Sequence, residues 1–74
     1  MTDHKKIMSR RLRELVAETG KTYKQLGIES GVGRGILLRT ANAQTMPNSE
    51  ALIGICEFFG VSADYLLGLK EERV

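Results

Sequence analysis

The chain is poor in the residues that most often carry chemistry. Its 74 residues include one cysteine, Cys56, and one histidine, His4. A lone cysteine excludes an internal disulfide. Cys56 lies inside an apolar stretch, where a small buried core residue is expected rather than a reactive thiol. That usage fits a reducing compartment, and the cytoplasm is the expected location. One histidine near the N-terminus has no Cys or second His with which to build a catalytic or metal-binding constellation. No catalytic residue, no metal and no cofactor is therefore expected. No apolar run approaches the roughly 18 residues that cross a bilayer. The opening Met1-Thr2-Asp3-His4-Lys5-Lys6 also lacks the apolar core of a signal peptide, so no membrane partner and no secretion are expected. Strand signals are missing too, since there is no sustained period-two alternation and few β-branched clusters. Gly31-Val32-Gly33-Arg34-Gly35 looks like a phosphate-cradling loop, but no strand precedes it.

What remains reads as one all-α domain of five helices separated by glycines. The first is expected over 5–19, where Met8, Leu12, Leu15 and Val16 form one apolar stripe and Gly20 supplies the stop. Arg10, Arg11 and Arg13 fall mostly off that stripe and read as a solvated face. Thr22-Tyr23-Lys24-Gln25 has the form of a capping box and opens a short second helix that Gly31 ends. A third is expected over about 33–41, with Val32 and Leu37 in the core and Ile36 partly buried. Residues 42–47 form a polar loop. After Pro47, Asn48 caps a fourth helix whose Leu52, Ile55, Cys56 and Phe59 make a buried stripe. Ser62 caps a fifth, which buries Leu66 and Leu67 and stops at Gly68. The domain core is placed at about 5–68, and residues 69–74 are expected to be a frayed polar tail.

Charge is unevenly spread. Residues 1–20 carry five Lys/Arg against three acids, 21–48 carry four against Glu29 alone, and 49–74 carry two against five. A basic first two-thirds attracts an anion and an acidic last third does not.

The segment Leu26-Gly27-Ile28-Glu29-Ser30-Gly31-Val32-Gly33-Arg34-Gly35-Ile36-Leu37 concentrates the functional signal. A small residue at 27 lets two helices cross closely. Gly31 permits the positive φ of a tight bend. Val32 and Leu37 pin the third helix against the first two. This is the geometry that projects a helix into a DNA major groove.

Here the chain resembles the Cro- and lambda-repressor-like (XRE) helix-turn-helix family of bacteria and their phages. The resemblance covers about residues 7–68. It rests on Ile7-Met8-Ser9-Arg10-Arg11-Leu12-Arg13-Glu14-Leu15, on Pro47, and on 50–68, which ends Phe58-Phe59-Gly60-Val61-Ser62-Ala63-Asp64-Tyr65-Leu66-Leu67-Gly68. It implies a compact five-helix DNA-binding domain whose third helix is the recognition helix, acting as a sequence-specific transcriptional regulator, a bacterial or phage repressor, and not as an enzyme. It places Arg34, Gly35, Leu38 and Arg39 where members read base edges. It places Thr22, Tyr23, Lys24, Asn42 and Thr45 where they touch phosphates. Arginine suits base reading because its fork donates twice to guanine, and Leu38 suits a thymine methyl. The implied partner is double-stranded DNA, bound as a homodimer with half-sites about 34 Å apart. The dimer surface would involve the fourth and fifth helices.

The chain departs from the family at several points. Gly33 stands where Ser or Thr usually caps the recognition helix, and Gly35 adds a second glycine at about 1 kcal/mol against alanine. Tyr23 replaces the usual Gln, Gly27 the usual Ala, and Ser30 a larger apolar residue. The position of Ala41 often holds Glu, and the loop is less basic than usual. These departures imply weaker DNA affinity. Ile36-Leu37-Leu38 is unusually apolar, and one of these residues, with Ile28, is expected to face outward. Three readings stay open for them: scattered surface apolarity, contact with thymine methyls, or a patch that binds another regulatory protein. The last is the alternative function, a helix-turn-helix scaffold acting mainly between proteins.

Overall fold

Short-range caps decide where each helix begins. The computed structural model describes residues 2–74 and contains α1 (His4–Thr19), α2 (Tyr23–Ser30), α3 (Arg34–Ala41), α4 (Ser49–Phe59) and α5 (Ala63–Leu67). Among the described residues there is no strand. Asp3, Thr22, Asn48 and Ser62 each accept a backbone N–H from the residue three places on. That satisfies one of the donors a helix start leaves unpaired. At Thr22 the box is reciprocal: Gln25 N–H donates to the Thr22 hydroxyl at 3.1 Å, and Thr22 N–H donates to Gln25 Oε1 at 3.0 Å. Only α3 starts without a side-chain cap, at Gly33. The five-helix, all-α expectation therefore holds.

The helices close around Met8, Leu12, Leu26, Leu37, Ile55 and Leu66, all fully buried. Burial of each such side chain contributes roughly 1.5–3 kcal/mol. Around them pack Leu15, Val16, Ala41, Cys56, Val61 and Tyr65. Burial also raises the Cys56 thiol pKa, which fits a core role. Leu52, Phe59, Val32 and Leu67, expected inside, are half-buried at the rim instead. The domain is too small to enclose a full stripe on its short outer helices. α1 packs against α3 and α5, α2 against α3 and α4, and α4 against α5, so the five helices close a ring around the core.

The crossing of α2 and the start of α3 is tighter than an alanine allows. A Cβ on Gly27 would lie 2.4 Å from the Arg34 backbone nitrogen and 2.8 Å from the Gly33 carbonyl carbon. Both are main-chain atoms and cannot swing aside. Gly33 N–H donates to the Gly27 carbonyl at 3.1 Å, so the two backbones are also hydrogen-bonded across the turn.

The C-terminal segment differs from the frayed tail expected of it. Arg11, grouped with the solvated arginines from the sequence, is only 7% exposed. Its guanidinium donates to the carbonyls of Tyr65 and, at 2.8 Å, Lys70, and lies 4.4 Å over the Tyr65 ring. It thereby supplies donors to carbonyls that the short α5 cannot satisfy itself. Its contact to Glu71 adds little, because that carboxylate is in solvent. Farther on, Arg73 pairs with both Glu18 oxygens at 2.9 and 2.5 Å, and its carbonyl accepts the Ser62 N–H at 2.6 Å. His4 donates from Nδ1 to the Leu67 carbonyl at 2.7 Å. Both chain ends are thus tied to α5.

Two outcomes follow for stability. Gly27→Ala is expected to lower unfolding free energy by about 1–3 kcal/mol in urea titrations, although alanine favours a helix, because overpacking against backbone outweighs propensity. The Arg73 guanidinium holds the Glu18 carboxyl below its usual pKa, chiefly through the hydrogen bond, with desolvation opposing it and the guanidinium charge adding a smaller lowering. The pair's contribution is therefore complete above the ordinary glutamate value of about 4.3 and fades as pH falls through the lower folded value. Glu18→Gln should flatten that part of the acid stability curve.

Candidate nucleic-acid interface

The face that α3 turns outward follows from the face it buries. Leu37, Thr40 and Ala41 are buried against the bundle. At 100° per residue, Gly35, Leu38, Arg39 and Asn42 then fall on the opposite side. Gly35, Arg39 and Asn42 are exposed and Leu38 is half-buried, while Ile36 sits half-buried on the flank. Arg34, in the first turn, is exposed, although its backbone is pressed against Gly27. The Arg39 guanidinium folds back along the helix, with Nη1 3.4 Å from where a Gly35 Cβ would be. Long side chains on a helix lean toward its N-terminus, and the missing side chain at 35 leaves the room.

The residues expected at phosphates are distributed around this face. Thr22 and Lys24 are exposed at the start of α2, and Tyr23 is half-buried there, packed against the core. Burial raises the Tyr23 phenol pKa, and the positive charge of nearby Arg13 partly opposes it. The Thr22 hydroxyl is already engaged in the cap. The box satisfies the Thr22 and Gln25 N–H groups, which leaves those of Tyr23 and Lys24 to meet an anion. Asn42 and Thr45 are exposed in the loop after α3. That loop turns at Ala43, whose φ of 58° is left-handed, a conformation more usual for glycine or asparagine. The turn lets Gln44 N–H reach the Arg39 carbonyl at 2.9 Å and Ala43 N–H the Thr40 carbonyl at 3.1 Å.

Charge on this face is left uncompensated. Glu29 is the one acid between residues 21 and 48, and it pairs with Lys21 at 2.8 and 3.0 Å. Among the described residues Lys24, Arg34 and Arg39 have no carboxylate partner. Glu50 and Glu57 of α4 line a groove on the flank of α3, with Val32, Ile36 and Ile53, and neither forms an ion pair with Arg34 or Arg39. Ile53 in that groove is 57% exposed, and Ile28 on α2 is 74% exposed.

The three arginines of α1, taken together in the sequence, have different surroundings. Arg11 is buried in the α5 contact described above. Arg10 and Arg13, with Lys6, line a groove whose other wall is Ala41, Asn42 and Ala43. The signal for this separation was present in the spacing. Arg11 is three residues after Met8 and four before Leu15, on the edge of the buried stripe, whereas 6, 10 and 13 share the opposite edge.

No helix among the described residues is long and apolar enough to cross a membrane. Comparison with known proteins finds no matching curated protein and no matching solved structure. A family model described as a helix-turn-helix domain does match, over residues 7–67, from the first full turn of α1 to the last residue of α5. The matched span contains α1 from Ile7 onward, all of α2 to α5 and the close turn between α2 and α3. The chain belongs to this helix-turn-helix domain family, in the XRE/Cro-like class.

Proposed function

We propose that the chain is a sequence-specific, double-stranded DNA-binding transcriptional regulator, a repressor of bacterial or phage origin that works in the cytoplasm as a homodimer. In this reading α3 enters the major groove. Arg34 and Arg39 donate to guanine edges, Leu38 meets a thymine methyl, and Gly35 lets the helix backbone come close to the bases. Lys24, the free N–H groups at the start of α2, Asn42 and Thr45 hold the phosphates on either side. Thr22 and Tyr23 contribute by setting the start of α2. Such contacts fix register, and the base contacts select sequence. One observation supports this reading above the others: Arg34 in the first turn of α3 and Arg39 on its outward side are both exposed, and Glu29, the one acid between residues 21 and 48, is paired with Lys21. Binding is the whole of the activity in this reading, with no catalytic step.

A second reading, a scaffold that mainly binds another regulatory protein, is supported by the exposed Ile28 and Ile53. The two readings differ in a salt series. DNA binding weakens steeply with salt as counterions are released, and it discriminates between sequences. Selection from a random duplex pool should enrich one palindromic site. If nothing in the pool is retained at low salt, the scaffold reading replaces the regulator.

Two substitutions sharpen the expectation. Arg39→Ala should weaken binding to the selected site by about 1–3 kcal/mol, roughly 5- to 150-fold, and relax preference at one base pair, as read by fluorescence anisotropy. Gly35→Ala should raise unfolding free energy by about 0.5–1 kcal/mol, because only the mobile Arg39 side chain adjoins the new methyl. The same substitution should weaken or redirect DNA binding, since the methyl displaces that guanidinium and stands between helix and bases.

A further inference from the structure

We propose that the groove between α1 and the end of α3 seats DNA backbone phosphates, with Lys6, Arg10 and Arg13 as its cationic wall. This inference rests on the DNA-binding reading and adds α1 to the surface that meets the duplex.

The placement begins with spacing. Residues 6, 10 and 13 are four and three apart, so their side chains share one edge of α1. All three are exposed, and among the described residues none pairs with a carboxylate. The acids on α1 do not neutralise them. Glu18 is held by Arg73 at the far end of the helix, and Glu14 has no ion-pair partner among the described residues. The opposite wall is the C-terminus of α3. A helix end normally offers unpaired carbonyls that repel an anion. Here those carbonyls are taken. Asn42 N–H donates to Leu38, Gln44 to Arg39 and Ala43 to Thr40, and the Ser9 hydroxyl of α1 donates to Ala41. What that wall presents is the exposed Asn42 amide, a neutral donor on the outward side of α3. The groove therefore combines three cations, one amide donor and acceptors that are already satisfied.

Its position also extends the interface without a gap. Asn42 belongs both to the outward face of α3 and to the groove. Burial raises the Tyr23 phenol pKa and the positive charge of Arg13 partly opposes it, so Arg13 lies within electrostatic reach of the start of α2. A phosphate strand passing the α2 N-terminus and the end of α3 would run along Arg13, Arg10 and Lys6 in turn. A duplex backbone fits this row better than a single small anion, because its phosphates repeat along the strand as the cations do along the helix. Each ammonium or guanidinium group brings one positive charge to a phosphate and touches no base edge, so the groove contributes affinity and salt dependence without sequence preference.

The test measures anisotropy of a labelled mixed-sequence DNA duplex, and of the selected site, across a salt series. Arg10→Gln/Arg13→Gln should lower the slope of log affinity against log salt by about 1.8, two phosphate contacts at about 0.9 each. It should weaken all sequences alike. Arg10→Lys/Arg13→Lys should keep the wild-type slope. Lys5→Gln/Lys70→Gln removes equal charge away from the groove and should leave the slope near wild type. Lys5 is exposed and the Lys70 ammonium donates to the Val74 carbonyl at 2.8 Å, at the far end of the chain from the groove residues, and thermal melting checks that each variant folds. A methylphosphonate substituted at one flanking phosphate should weaken wild type at that position and leave Arg10→Gln/Arg13→Gln unaffected. If the two glutamine pairs lower the slope equally, or the arginine pair leaves it unchanged, the groove is no phosphate seat although the chain still binds DNA. If wild type binds no duplex at low salt, the DNA-binding reading itself fails, and this inference with it.

Discussion

The backbones of α2 and α3 meet at Gly27 with no room for a side chain between them, and that contact governs how the candidate interface is presented. The Gly27 carbonyl accepts the Gly33 N–H while its Cα faces the first residue of α3. Two rigid segments held by a main-chain contact and a main-chain hydrogen bond have little freedom to change their crossing angle. The outward direction of Arg39 and Leu38 is then set by Leu37, Thr40 and Ala41 on the other side of a two-turn helix. A helix of eight residues is marginal by itself in water, so the packing holds α3 rather than the reverse. Two glycines near its start weaken it further, which makes the close crossing still more important.

α1 supplies the platform beneath that crossing and divides the charge of the molecule in two. Its buried edge carries Arg11, which gathers the end of α5 and the residues beyond it. Its exposed edge carries Lys6, Arg10 and Arg13 toward the end of α3. Arg73 and Glu18 neutralise one another at the far end of the helix, and Lys21 and Glu29 do so beside α2. The cations that remain uncompensated lie on α1, α2 and α3, whereas the acids of the last third lie on α4, α5 and the tail. A small net charge of +2 thus conceals a one-sided distribution.

Much of the architecture was legible before any tertiary contact was known. The five helices, the capping box at Thr22, the Asn48 and Ser62 caps and the glycine stops all follow from residues three or four apart. The close approach at Gly27 and the bend at Gly31 were legible for the same reason, since each is a demand of the local backbone. The candidate face of α3 could be read once Leu37 was placed inside, because helical periodicity carries the assignment to 35, 38, 39 and 42. Less legible was how far each apolar stripe is covered. Val32, Leu52, Phe59 and Leu67 lie at the rim because covering them requires neighbours that a domain of this size lacks.

By itself the sequence determined the helices, their order, the turn between α2 and α3 and the family to which these belong, since all of these are written in short-range spacing. Only the tertiary structure decided that Arg11 is interior while Arg10 and Arg13 border the end of α3, and that the last residues are fastened to α1 and α5. Arg11 and Tyr65 are 54 residues apart, Glu18 and Arg73 are 55, and Ser9 and Ala41 are 32. Contacts of that separation depend on how helices pack, and three arginines of identical chemistry acquire different roles only when their neighbours arrive.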